Sequence, residues 1–335
     1  MLAVVCRAWM PYQQLPLEEM PAPTLGAGQV RIGTHYAGVS FATSLVTQGR
    51  YQRKPPFPFT PGSEVAGEIL EVAPDVTRFR PGDRVCAVVD WGGHAEEVVT
   101  PSATVYRIPD AMPFDIAPQL PASYGTALAS LQWVAKVQAG ETVLVHGAAG
   151  AVGLASVEMA KAIGARVIAT ASTVEKLEVA RAHGADEAVL FPGPEALETI
   201  RGLARGGVQV VLDPVGGDAF DLSLRCTGEG GRIVIIGFAN GRIQQIPANI
   251  LLVKNIAALG LNFGKYIGWT PVDERRQHEP KVRDLMDEIF RWYEAGHVKP
   301  TTSHRFPLRD YAQAMDAVLA RQAIGKIVLR MPRAG

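Results

Sequence analysis

The residues best spaced for chemistry form a turn of small side chains, Gly147-Ala148-Ala149-Gly150-Ala151-Val152-Gly153. It lies between a β-branched run at 142–146, expected to be a strand, and an alanine-rich stretch at 152–163, expected to be a helix closed by Gly164. Small residues there let the backbone approach a pyrophosphate, whose charge then meets the free N–H groups and positive dipole of the helix start. Alone, such a turn could be a tight connection and nothing more. Between a strand and a helix of a βαβ unit it is a dinucleotide-binding turn.

About 20 residues beyond this motif, chains that bind NAD place an Asp or Glu on the ribose 2′-hydroxyl. Here the sequence is Thr170-Ala171-Ser172-Thr173, followed by Lys176. A carboxylate would repel a 2′-phosphate, whereas hydroxyls and a lysine one helical turn on would bind it, so NADPH is expected over NADH. Ser172 or Thr173 can also cap the next helix, and capping and phosphate binding are compatible at one helix start.

His94, His146 and Cys86 invite catalytic roles, but their settings favour structural ones. His94 stands in a turn before a strand, His146 ends the first strand of the βαβ region, and Cys86 lies in an apolar run at 85–89. Cys6, Cys86 and Cys226 are too far apart and too few for a disulfide framework or a cysteine metal cage.

Two kinds of element must position these residues. Up to about residue 109 the apolar runs are short and broken by Gly and Pro, at 30–36, 65–72, 84–89 and 96–99, which predicts a β-rich, antiparallel, partly closed sheet. After about residue 117 strands alternate with helices: strands at 166–170, 188–191, 208–212, 232–236 and 256–261, and helices at 174–183 and 194–204. That rhythm predicts an α/β domain with a doubly wound parallel sheet. The tail predicts helices at 282–295 and 311–319 and a strand at 326–330 that suits the first domain better than the second.

With 335 residues, 47% hydrophobic, the chain can build two cores. Lys+Arg and Asp+Glu balance at 33 each, so no overall field holds a nucleic acid or an anionic membrane, and a small-molecule partner is expected. No stretch approaches about 18 uninterrupted apolar residues, and a soluble, cytoplasmic protein is expected.

With these residues in hand, the chain resembles the quinone oxidoreductase branch of the zinc-independent medium-chain dehydrogenases/reductases. The resemblance runs from the opening strand to Gly325-Lys326-Ile327-Val328-Leu329. It is carried by Pro61-Gly62-Ser63-Glu64-Val65-Ala66-Gly67, by Gly92-Gly93-His94-Ala95-Glu96, by the glycine turn, and by Asp213-Pro214-Val215-Gly216-Gly217. It implies a Rossmann-type sheet inserted in a GroES-like β-rich domain, with the cofactor in the cleft between them. The expected division is 1–120 for the first part of the GroES-like catalytic domain, 121–262 for the Rossmann domain and 263–335 for the second part.

Zinc-dependent members carry Gly-His-Glu and two ligating cysteines. Here Ser63 takes the histidine position, the cysteine positions fall near Ser40 and around Ser123 and Tyr124, and the structural zinc lobe is missing. Glu64 alone cannot hold zinc, so no metal is expected. Glu64 is instead expected to hydrogen-bond beneath the nicotinamide.

The resemblance further implies cofactor contacts by Thr126 and by the chain at Ala149, Gly150, Ala151 and Val152, with Ser172 and Lys176 on the 2′-phosphate. Gly237, Phe238, Asn262, Phe263 and Gly264 would line the nicotinamide half, and Ser40, Phe41 and Lys326 would also touch the cofactor. Two departures from the family pattern are Phe191, where a tyrosine is frequent, and Ser40, where an asparagine is common. Tyr51, in Thr47-Gln48-Gly49-Arg50-Tyr51, is similar to a tyrosine of related enoyl reductases beside the nicotinamide. Either it gives the proton that follows hydride transfer, or it packs a loop wall while solvent protonates the product.

The implied activity is NADPH-dependent reduction of a quinone or an enone. Alternatives are enoyl-thioester reduction, with Arg50, Arg53 and Lys54 as candidate phosphate contacts, and an NADPH-binding structural or RNA-binding protein, which the neutral charge disfavours. The low-charge run 256–261 reads as an edge strand, so a homodimer is expected.

Overall fold

The computed structural model describes residues 1–332, and the last three residues of the expected 263–335 segment lie outside the described ones. Two compact units emerge: Met1–Ala122 with Gly264–Phe290 and Pro300–Gly335, and Ser123–Phe263 with Arg291–Lys299. The return of the tail is thus interrupted, since residues 291–299 group with the second unit. One cause is the Lys299 N–H, which donates to the buried Glu158 Oε2 at 3.0 Å.

In the first unit β1 (Leu2–Val4) pairs with β2 (Leu17–Glu19), and the main sheet begins with β3 (Gln29–Val39). Helix α1 (Phe41–Thr47) follows, then β4 (Glu64–Val72), β5 (Arg84–Val88), β6 (Glu97–Pro101) and β7 (Val105–Arg107). Short runs separated by Pro-Gly and Gly-Gly turns favour this meander, since each turn needs a left-handed residue such as Gly62, at φ 91°. Gly67 is required for another reason: a Cβ there would sit 1.9 Å from the Gly33 carbonyl oxygen on β3.

In the second unit a helical stretch comes first, with α2 (Gly125–Ala129) flanked on both sides by wider π-type turns. Then β8 (Thr142–Val145), α3 (Ala151–Ile163), β9 (Arg166–Ala171), α4 (Val174–Ala182), β10 (Glu187–Leu190) and α5 (Ala196–Leu203) alternate. They continue as β11 (Val208–Asp213), α6 (Asp218–Cys226), β12 (Thr227–Ile235), α7 (Ala248–Lys254) and β13 (Ala257–Gly260). The sheet order is β10-β9-β8-β11-β12-β13, and every pair is parallel. This is a doubly wound α/β sheet whose order reverses between β8 and β11, the place where such sheets bind ligands beyond their carboxyl ends. β13 is an edge. The strands read as continuous apolar runs because helices cover both faces, and Val143, Leu144, Val145, Val210, Val211 and Leu212 are fully buried.

The tail adds α8 (Arg275–Glu294), β14 (Thr302–Pro307), α9 (Tyr311–Leu319) and β15 (Lys326–Arg330). β15 pairs antiparallel with β3, as the tail strand's affinity for the first domain anticipated. β14 pairs parallel with β15, an exception to the antiparallel expectation. α8 starts seven residues before the expected 282 and contains Pro280. Pro280 is the sixth residue of the helix, past the first turn, so the Arg276 carbonyl loses the backbone donor it would have there. No helix among the described residues is long and apolar enough to cross a membrane.

Candidate active site

At the carboxyl end of β8 the expected turn is shaped by its glycines. Gly147 has φ 59°, and a Cβ on Gly153 would lie 2.1 Å from the Gly147 carbonyl oxygen, so the helix can begin this close to the strand only with glycine there. Gly150 takes the N-cap position of α3 in extended conformation, and no side chain caps the helix. The first N–H groups of a helix have no intrahelical acceptor, so Ala151 and Val152, next to Ala149 in the turn, offer donors and a dipole to an anion, whereas the Gly150 N–H is taken by the Gly147 carbonyl at 2.9 Å. The adjoining β11 end is fixed by Asp213, whose Oδ1 accepts from the N–H groups of Val215 at 2.9 Å and Gly216 at 2.8 Å.

Beyond β9, Ser172 is exposed and Thr173 caps α4 by accepting from the Lys176 N–H at 3.3 Å. The capping reading of this segment therefore holds for Thr173, and Ser172 takes no part in that cap. Glu175 is the acidic residue of the first turn, and it points from an exposed position. Gly237 follows β12, and the half-exposed ring of Phe238 lies against Gly216 beyond β11. Thr126 is in α2, where the neighbouring Gly125 packs on Phe263, and Asn262 is exposed just before it. All these second-unit candidates follow strand ends or stand on α2, and the turns after β8, β11 and β12 adjoin one another.

His146 is buried and saturated. Ser223 Oγ gives its hydrogen to the Ala219 carbonyl and so accepts from His146 Nε2 at 2.9 Å, leaving His146 Nδ1 to accept from Thr170 Oγ1 at 2.8 Å. Burial lowers its pKa. Tyr124, near an expected cysteine position, donates to Glu158 Oε2 at 2.8 Å in the core of the same unit.

In the first unit, Ser40 precedes α1 and its hydroxyl lies 3.1 Å from that of Thr43, while Phe41 is exposed. Tyr51 lines an apolar slot with Ala42, Thr43, Val46, Arg53, Pro55, Pro61, Ser63, Asp90, Trp91 and Trp269. Burial raises the Tyr51 pKa, which keeps the phenol protonated and able to donate. Gly264 opens the segment carrying Trp269, and its carbonyl accepts from the Trp269 N–H at 2.8 Å.

Glu64 and Lys326 form a buried ion pair beside Gly38, where a Cβ would lie 2.6 Å from Glu64 Oε2. The expectations for Glu64 and Lys326 therefore meet in one contact, with the charge of each directed at the other. His94 accepts at Nδ1 from the Tyr12 hydroxyl at 2.7 Å and donates from Nε2 to the Gly38 carbonyl at 3.2 Å. Its burial lowers the pKa to about 4, so it is neutral and structural. Cys86 is fully buried, and burial raises its pKa. Among the described residues no group of three or more His, Cys, Asp or Glu side chains is placed to hold a metal ion.

One candidate needs correction. Arg53, considered for a coenzyme phosphate, donates to Asp90 at 2.6 Å and to the Gly268 carbonyl at 2.9 Å. Its guanidinium carbon lies 4.9 Å from the centre of the Trp91 ring. That charge is consumed inside the unit, whereas Arg50 and Lys54 are exposed. Asp90, Trp91 and Trp269 had no signal in the sequence, because their association depends on residues about 180 positions apart.

Comparison with known proteins agrees with these features. The alcohol dehydrogenase GroES-like domain family matches residues 26–110, and the family described as zinc-binding dehydrogenase matches residues 151–278. The chain is 38% identical to quinone oxidoreductase-like protein 2 of Rattus norvegicus over 95% of its own length and 89% of the relative's. The quinone oxidoreductase of Thermus thermophilus, solved also with NADPH, superposes with a TM-score of 0.83 at 32% identity, covering 98% of this chain and 100% of that one. A mycobacterial protein complexed with NADPH superposes with a TM-score of 0.89 at 29% identity, covering 98% and 100% of the two chains. The first unit is thus the GroES-like domain and the second the Rossmann-type domain, and a nicotinamide-dependent oxidoreductase is the activity class. The chain belongs to the quinone oxidoreductase branch of the medium-chain dehydrogenase/reductase superfamily.

Proposed function

We propose that the protein reduces quinones or electron-poor C=C bonds with NADPH, by hydride transfer without a metal. The observation that carries this reading is the uncapped start of α3 behind the glycine turn, together with a β9 end that offers Ser172 and Lys176 where an NAD site would place a carboxylate. When bound, NADPH supplies the hydride, and the chain supplies position and a proton. The second unit holds the pyrophosphate on the α3 N–H groups and the 2′-phosphate at Ser172 and Lys176. The slot beside Tyr51 holds the acceptor. Each acceptor gains two electrons and one hydrogen as hydride, and the resulting anion takes a proton from Tyr51 or from water through it. Lys326 supports the metal-free reading, because an ammonium on Glu64 would repel a dication brought to that carboxylate.

The test is NADPH oxidation against quinones, short enones and enoyl thioesters. We expect quinones or enones to exceed thioesters about a hundredfold in kcat/KM, which is about 2.7 kcal/mol of transition-state binding. The reverse preference, or no turnover of any acceptor, overturns the reading.

We further infer a homodimer paired through the free edge at β13. Its support is the edge position of that strand and the apolar side chains near it, with Leu252 and Val253 on α7 each 77% exposed.

A further inference from the structure

We propose, resting on the acceptor reading of the slot, that Trp91 and Trp269 size it for a single flat ring and that Asp90 is the positioning residue for both indoles. Asp90 Oδ1 accepts from Arg53 Nη1 and from Arg275 Nη2, each at 2.6 Å. Arg53, so held, lies over the Trp91 ring at a cation–π distance. The same Arg53 nitrogen donates to the carbonyl of Gly268, directly before Trp269, and the Trp269 indole N–H donates to the carbonyl of Val89, directly before Asp90, at 3.2 Å. The Val89–Trp91 and Gly268–Trp269 segments are therefore tied on both sides of one carboxylate.

This tie has little freedom. Arg275 is 2% exposed, is paired also with Asp273, and already has one guanidinium nitrogen without an acceptor. Asp273 is the other carboxylate acting on both guanidinium groups, so loss of the Asp90 charge leaves two cations to one acidic partner. The slot has room for about 40 Å³, and both indoles line it. One water needs about 10–15 Å³, so the space beside the indoles takes a few water-sized groups, and a wider acceptor must displace one of the indoles.

The experiment measures kcat/KM for p-benzoquinone and for phenanthrenequinone, which has fused rings, at saturating NADPH. The unaltered protein should favour p-benzoquinone by about tenfold or more. Trp269→Ala and Asp90→Asn should each move that ratio toward phenanthrenequinone by about tenfold, through the acceptor KM, while the KM for NADPH stays the same. Should Asp90→Asn fail to fold, Arg53→Gln severs one arm of the tie and carries the same expectation. An unchanged ratio in the folded variants, or equal slowing of both quinones, overturns the proposal. Turnover of neither quinone by the unaltered protein removes the quinone arm of the proposed function and leaves its enone arm standing. The slot is then read by quenching of tryptophan fluorescence with hydroquinone, and absence of binding, or binding unaffected by Trp269→Ala, overturns the sizing role.

Discussion

Lys326 on β15 and Glu64 on β4, 262 positions apart in the sequence, form an ion pair whose side chains are only 6% and 5% exposed. Removing one charge strands the other in a low-dielectric interior. Glu64→Gln should therefore destabilise the protein by about 3–5 kcal/mol, and Glu64→Gln with Lys326→Met should recover part of that loss. Chemical denaturation of the single and double variants measures it, and additive losses would show that the two groups do not stabilise each other.

Lys176→Ala should weaken NADPH binding by about 1–3 kcal/mol, the range for a charge-assisted hydrogen bond, and leave NADH nearly unchanged. Titration calorimetry with both cofactors checks it. Equal losses for both would mean that Lys176 does not read the 2′-phosphate.

Tyr51→Phe separates proton donation from packing. If the phenol donates, enone turnover should fall by about 10²–10⁴-fold, the usual worth of general acid catalysis, with cofactor affinity unaltered. Quinones form a more stable reduced anion and should suffer less. A defect in packing would slow both acceptors alike, and unaltered enone turnover would make solvent the proton source.

His94 carries a pH dependence of stability. Its folded pKa of about 4 lies below the ordinary 6.5, chiefly through burial, with Lys326 lowering it further. As pH falls below about 6.5 the unfolded chain binds a proton that the folded protein refuses. The stability present above that pH is therefore lost progressively toward pH 4, by about 3 kcal/mol at most. His146 acts in the same direction, so the comparison is with His94→Gln, which should be less stable at neutral pH but flatter across this window. Parallel stability curves for the two proteins would sink the assignment.

The dimer proposed at β13 should dissociate when Leu252→Asp places a carboxylate on each side of the shared edge. Sedimentation at micromolar concentration is expected to show a dimer for the unaltered protein and a monomer for the variant. A monomer in both would remove the proposal.

How far the sequence could be read depended on how local each cause was. The glycine turn and the α3 start were legible because strand, turn and helix are neighbours along the chain, and each glycine answers a backbone constraint within about six residues. The parallel sheet was legible in its alternation of apolar runs and alanine-rich helices. The extent of α8 was not, because a proline past the first turn argues locally against helix, yet the helix runs through Pro280 and buries Val282, Leu285, Met286 and Ile289.

Sequence alone therefore determined the nucleotide-binding turn, the α/β class and the missing zinc ligand types, all of which follow from residue identity and short-range spacing. Tertiary structure decided where the charges go. Arg53, an exposed basic residue by its local run Arg50 to Lys54, is taken by Asp90, and Glu64 is taken by Lys326. An ion pair costs desolvation that only close approach of the right partner offsets, and partners brought together by β3, β4 and β15, or by the loops before α8, leave no trace in local spacing.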